Sequence, residues 1–169
     1  MSFSLLPKLI LERLTDITPA LLAESGVHAL LMDFDNTIVP YTTDQPSREL
    51  LNWLSGMRDA DIFLCVVSNS KKPRVVRFCE THSLPCVTHS RKPFQKGIRA
   101  ALARYGLQPE ETALVGDQIF TDVLGANCGE LYSILIRPLH LHNIWLRLRH
   151  LLERPMIFLA RGRRVVKKI

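Results

Sequence analysis

The sequence predicts an α/β domain built on a five-stranded parallel sheet flanked by helices. Three observations carry this prediction. Apolar runs of strand length alternate with stretches of helical period from about residue 29 to residue 136. The first four of those runs are each followed by a polar cluster. The 169 residues are 47% apolar, which suits one domain with its own core and excludes a disordered chain.

The elements follow in order. Leu6, Leu9, Ile10, Leu14 and Ile17 form a helical stripe that either packs on the domain or lies on a membrane or a partner. Thr18-Pro19 sets an N-cap before a proline at the first helical position, so a short helix should run to about Glu24 and stop at Ser25-Gly26. Ala29 to Phe34 is an apolar run interrupted only by Asp33, the pattern of a strand buried on both faces. Asn36 to Pro46 is a loop by its Pro, Thr, Asp and Tyr content. Ser47 caps a helix with Leu50, Leu51, Leu54 and Met57 on one face. Ile62–Val67 is a second strand, followed by a helix carrying Val75, Val76, Phe78 and Cys79. Pro85–Thr88 is a short third strand, and Lys96–Tyr105 is a helix ended by Gly106. Thr112–Val115, a helix over Asp122–Cys128 and a fifth strand over Tyr132–Ile136 complete the sheet.

Composition narrows the class. No run of 18 apolar residues exists, so no membrane-spanning helix is expected. The first 14 residues lack the long apolar core and cleavage site of a secretory signal. Cys65, Cys79, Cys86 and Cys128 form no C-x-x-C pair and read as reduced core thiols of a cytosolic protein. The formal charge of +6 is uneven. Residues 141–169 hold eight Lys or Arg and one acid, whereas residues 1–140 sum to −1. The chain therefore divides into a body, 1–140, and a basic tail, 141–169, suited to an anionic partner.

Parallel topology brings the carboxyl ends of all strands to one edge, where open α/β sheets place their ligands. Asp33/Asp35/Thr37, Ser68/Asn69, Lys92 and Asp117/Asp122 should converge there. With all four carboxylates ionised the site carries −4. A Mg²⁺ ion offsets two of those charges and Lys92 a third, which suits phosphoryl transfer.

In this order and spacing, Asp33-x-Asp35-x-Thr37, Ser68, Lys92 and Gly116-Asp117-x₄-Asp122 resemble motifs I to IV of the haloacid dehalogenase (HAD) phosphatases. Asp16-Ile17-Thr18-Pro19, Asp35-Asn36-Thr37-x-Val39, Val67-Ser68-Asn69, Arg91-Lys92-Pro93 and Gly116-Asp117-Gln118-x-x-Thr121-Asp122-Val123-Leu124-Gly125-x-Asn127 are similar to the YqeG subgroup. The resemblance covers residues 8–137 and implies a HAD-like Rossmannoid fold. It also implies roles. Asp33 would be the nucleophile that becomes an aspartyl phosphate, and Asp35 the general acid and base. Asp33, the backbone carbonyl of Asp35, and Asp117 would ligate Mg²⁺, with Asp122 binding directly or through water. Ser68 and the Asn69 backbone amide would hold phosphate oxygens, and Lys92 would neutralise charge on Asp33 and the transferred group. Thr37 would position the first loop.

Members of this superfamily insert a cap after motif I or between motifs II and III. Here only 11 residues separate Asp35 from Ser47 and 23 separate Ser68 from Lys92, so no cap domain is expected. An uncapped site suits a phosphate on a bulky carrier. In the tail, Leu141, Trp145, Leu148 and Leu152 share a helical face beside Arg147, Arg149 and Arg154, with a further basic cluster after Pro155. Such a segment reads as a membrane-surface element; the other reading is a core-packing helix followed by a solvated charged end. His140 and His142 lack a third ligand nearby and read as loop or interface histidines.

The YqeG subgroup includes phosphatidylglycerophosphate phosphatases, so the resemblance, with the open site and the basic tail beside it, implies a Mg²⁺-dependent phosphatase at the cytoplasmic face of a membrane, converting phosphatidylglycerophosphate to phosphatidylglycerol. Its partners would be the phosphorylated lipid head group and an anionic bilayer; nothing in the sequence sets an oligomeric state. The alternative is a soluble phosphatase acting on nucleic-acid ends or phosphoproteins, and a further rival is a binding module that keeps the fold without the chemistry.

Overall fold

The computed structural model describes residues 4–139. The tail, with His140 and His142, lies outside the described residues. Six strands form one parallel sheet: β1 (Leu9–Leu11), β2 (Ala29–Met32), β3 (Phe63–Val67), β4 (Cys86–Val87), β5 (Thr112–Gly116) and β6 (Tyr132–Ile136). Their order is β1-β6-β5-β2-β3-β4. Five helices intervene: α1 (Pro19–Ala23), α2 (Arg48–Asp59), α3 (Pro73–Thr81), α4 (Gln95–Tyr105) and α5 (Leu124–Cys128).

Both faces of the sheet are covered, which is why its central strands read as continuous apolar runs. Leu30, Met32, Leu64, Val66, Ala113 and Val115 pack with residues of α1, α2 and α3. Their strand neighbours Leu31, Cys65, Val67 and Leu114 point the other way, onto Ile98, Ala101 and Leu102 of α4 and Ala126 of α5. The predicted caps are present. Thr18 Oγ1 accepts from the Leu21 amide at 3.2 Å, and Ser47 Oγ from the Leu50 amide at 3.1 Å. Gly106 ends α4 at φ 65°, a left-handed conformation that favours glycine.

Three expectations change. The sheet has a sixth strand, because Leu9–Leu11 lies in it instead of forming a helix. Leu9 to Leu11 pair with Ile134 to Ile136, and both Leu9 and Leu11 are buried. The helical stripe hid a two-residue alternation, and the open edge of β6 supplied the hydrogen-bonding partner that a local pattern does not contain. Asn127 fastens this segment: its Nδ2 donates to the carbonyls of Ser4 at 2.6 Å and Leu6 at 3.1 Å. Second, Leu51 and Val76 are exposed, not part of the buried helix faces, and Cys86 and Cys128 are only half-buried. Third, the helix expected over Asp122–Cys128 begins earlier, as a π-helical turn over Ile119–Val123 that runs into α5. No cap domain interrupts the described residues. Asp35 to Ser47 is a single loop, and Ser68 to Lys92 holds only α3 and β4.

Candidate active site

The four clusters meet at the carboxyl edge. Asp33 directly follows β2, and its amide still donates to Val115 O at 2.9 Å, so the sheet fixes its backbone. The chain then turns at Asn36, whose φ is 63° and whose amide donates to Val39 O at 2.8 Å. Ser68 leaves β3 with its amide bonded to Val87 O at 3.0 Å.

Lys92 is the electrostatic centre. Its side chain is 1% exposed. The ammonium lies 2.7 Å from Asp33 Oδ1 and 2.8 Å from Asp122 Oδ1, and donates to Val67 O at 2.6 Å. Burial opposes the lysine's charge, but Asp122 and Asp33 outweigh it and raise its pKa. Burial pushes the Asp33 carboxyl up from 3.8 to about 6; Lys92 pulls it back and Asp122 pushes it further up. Burial also raises Asp35, against the opposing pull of Arg74 and Lys72.

Asp33, Asp117 and Asp122 are buried, and each brings a carboxylate oxygen within 4.8 Å of the other two. Three carboxylates there outnumber the single Lys92 charge. An all-oxygen set of this kind fits a hard divalent cation. The Asp35 side chain stands outside this cluster; its Oδ1 lies 3.4 Å from Arg74 Nη1. Its expected share in metal binding was through the backbone carbonyl. Asp122 is carried on the π-helical turn, and its Oδ2 accepts from the Gln118 amide at 3.1 Å. Gly116 leaves the room for it: a Cβ there would lie 2.2 Å from Asp122 Oδ2.

Two side-chain functions were not visible in the sequence. Asn69 does more than offer its amide. Its Oδ1 accepts from the Lys92 amide at 2.6 Å and from Ser90 Oγ at 2.7 Å, while Nδ2 donates to Lys92 O at 2.9 Å. It thus clamps the backbone that carries the lysine. Arg74, on α3, donates to the carbonyls of Pro40, Tyr41 and Thr43 at 2.8 to 3.0 Å and pairs with Asp44 at 2.6 Å. It pins the loop after Asp35 over the site and places a cation beside Asp35. Neither pairing has a local signal, since Asn69 lies 23 residues from Lys92 and Arg74 lies 31 to 34 from its carbonyls.

A hollow of about 60 Å³ opens to solvent between Asp33, Asp35, Ser68, Asn69 and Lys92, with Tyr41, Ser70, Gln118 and Thr121 at its sides. Pockets that engulf a small molecule are several times larger, and this volume suits a phosphoryl-sized group.

The fold and the carboxylate cluster set the class, and residues 89–138 match the HAD-hydrolase-like family. A Bacillus subtilis (strain 168) protein, "Probable phosphatase YqeG", is 33% identical over 133 residues, covering 79% of this chain and 77% of its own. The chain therefore belongs to the YqeG family of HAD-superfamily phosphatases. Solved structures agree on the fold. The cobalt-bound deoxy-D-mannose-octulosonate 8-phosphate phosphatase YrbI of Haemophilus influenzae matches at a TM-score of 0.53 and 15% identity, over 66% of this chain and 69% of its own. A putative HAD family hydrolase from Streptomyces avermitilis MA-4680 matches at 0.53 and 15%, over 68% and 72%.

Proposed function

We propose that this protein is a Mg²⁺-dependent phosphomonoesterase that works through an aspartyl phosphate and prefers phosphatidylglycerophosphate at a membrane surface. One observation carries the chemistry: a buried lysine ion-paired to Asp33 and Asp122 at the floor of a phosphoryl-sized hollow. Asp33, Asp117, Asp122 and the Asp35 carbonyl would hold the cation, which when bound supplies charge to the transferring phosphoryl oxygens.

Asp33 attacks phosphorus, forming an O–P bond as the bond to the alcohol breaks. Lys92 holds the ionised form of Asp33 and faces the charge spread over the phosphoryl oxygens. Ser68 and the Asn69 amide orient those oxygens. Asp35, its pKa raised by burial, gives its proton to the departing alkoxide. It then takes a proton from water as that water attacks phosphorus, and phosphate leaves with the Asp33 carboxylate restored.

The substrate reading rests on three supports. The motifs resemble the YqeG subgroup, which includes phosphatidylglycerophosphate phosphatases; no cap domain is present among the described residues; and the basic tail suits an anionic bilayer. The test is phosphate release from phosphatidylglycerophosphate in mixed micelles, with and without Mg²⁺, beside Asp33→Asn. Release that needs Mg²⁺ and vanishes in Asp33→Asn is expected. Turnover of an aryl phosphate without turnover of the lipid would remove the lipid and keep the chemistry.

A further inference from the structure

We propose that the rim of the hollow is itself a membrane-docking surface, with Phe94 entering the bilayer interface and Lys71, Lys72, Arg91 and Lys96 meeting anionic head groups. This rests on the lipid reading above and adds a contact independent of the tail.

Phe94 is 72% exposed, the most exposed large apolar side chain among the described residues. It sits at the N-cap of α4, two residues after Lys92, and therefore on the edge where the hollow opens. Tyr41, 40% exposed, stands on that edge from the opposite loop and lines the hollow itself.

Charge singles out the same side. The β3–α3 and β4–α4 loops carry Lys71, Lys72 and Arg91, and Lys96 follows in the first turn of α4; all four are exposed. Neither loop holds an acid. None of the four cations has an ion pair among the described residues. By contrast, the exposed acids elsewhere on this edge are paired: Glu12 with Arg137, Glu49 with Arg13 and Asp44 with Arg74. The opposite edge, where the strands begin, bears Glu24, Asp59, Asp61, Glu80, Glu110, Glu111 and Glu130, with Lys8, Arg58 and Arg104 set against them. The carboxylates of the hollow itself face Lys92, Arg74 and the cation they would hold, so the exposed charge turns the mouth of the hollow toward an anionic surface and the other end away from it.

A bilayer satisfies all three features together. It offers anionic head groups to the lysines, an apolar boundary to Phe94 and a phosphate at head-group height to the hollow. A polyanion without apolar groups would leave Phe94 in water, whereas a single-stranded oligonucleotide would stack a base on it and is the rival that the test separates.

The experiment compares the full chain with Phe94→Ser and with Lys71→Glu/Arg91→Glu in sedimentation with vesicles of phosphatidylcholine and phosphatidylglycerol. Hydrolysis of an aryl phosphate in solution is measured beside it. Phe94→Ser should weaken partitioning about tenfold, the order expected for withdrawing one phenyl ring from an apolar phase. The double charge reversal should weaken it at least tenfold. Aryl phosphate turnover should stay within twofold in both. Unchanged partitioning in both variants overturns the proposal, as does weakened binding to a single-stranded oligonucleotide with vesicle binding intact. If Phe94→Ser also loses aryl phosphate turnover, Phe94→Trp decides: partitioning at or above wild type supports the surface, and a loss overturns it. Vesicle binding without release of phosphate from phosphatidylglycerophosphate would sink the substrate reading and leave the surface standing.

Discussion

Gly116→Ala tests how the site is built without touching a charged group. Gly116 ends β5 immediately before Asp117. An added Cβ would lie 2.2 Å from Asp122 Oδ2, 2.3 Å from its Cγ and 2.6 Å from its Cβ, so the whole carboxylate must withdraw. Restoring an ordinary contact of 3.4 Å requires a shift of about 1.2 Å. Asp122 cannot make that shift and keep both its 2.8 Å contact with Lys92 and its 3.1 Å bond from the Gln118 amide. A misplacement of about 1 Å in a preorganised site can cost roughly a hundredfold in rate, or about 2.7 kcal/mol of transition-state stabilisation. The expected result is a kcat/KM for an aryl phosphate lowered about a hundredfold, with more Mg²⁺ needed for half-maximal rate. Overpacking should also lower stability by about 1–3 kcal/mol. Gly56→Ala is the control, because a Cβ there meets nothing within 4 Å. If Gly116→Ala keeps its rate within threefold and its metal dependence unchanged, Asp122 is not held where this argument needs it.

Arg74→Met should destabilise the protein by roughly 2 kcal/mol, because it takes the donor from three loop carbonyls while the half-exposed Asp44 turns to water. Chemical denaturation within 0.5 kcal/mol of wild type would contradict the anchoring role. The pH dependence of the metal-free protein follows from Asp33. Its carboxyl sits at about 6 when folded against 3.8 for the ordinary group, so the folded state binds more protons between those values. That contribution is fullest below pH 3.8 and is lost as pH rises through 6, about 3 kcal/mol in all. A cation competes with the same proton, so Mg²⁺ should stabilise the protein less at pH 5 than at pH 7.5. Equal shifts of the thermal midpoint at both pH values would refute this.

What the sequence disclosed, and what it hid, follow from the range of the forces involved. Caps at Thr18 and Ser47, the stop at Gly106 and the polar clusters at the strand ends are set within a few residues, and each is where the pattern put it. The strand at Leu9–Leu11 was misread because its identity comes from β6, more than a hundred residues away. Phe94 and the unpaired cations of the rim carry no periodic pattern, and their exposure is known only once the crossover helices are in place.

The two motif-I carboxylates show why side-chain partners matter more than spacing. Asp33 and Asp35 lie two residues apart and have the same chemistry in water. The fold gives each its own cation, Lys92 at 2.7 Å from Asp33 and Arg74 at 3.4 Å from Asp35. It also gives each a different exposure to the metal cluster, which includes the Asp33 carboxylate and leaves out that of Asp35. Lys92 and a bound cation favour the ionised form of Asp33, as a nucleophile requires. The Asp35 carboxyl stands outside the metal cluster, and burial favours its protonated form against the pull of Arg74, as the proposed general acid requires. In the proposed mechanism the two roles follow from Lys92, which the β4–α4 loop brings to Asp33, and from the burial of Asp35, which Arg74 on α3 opposes only in part.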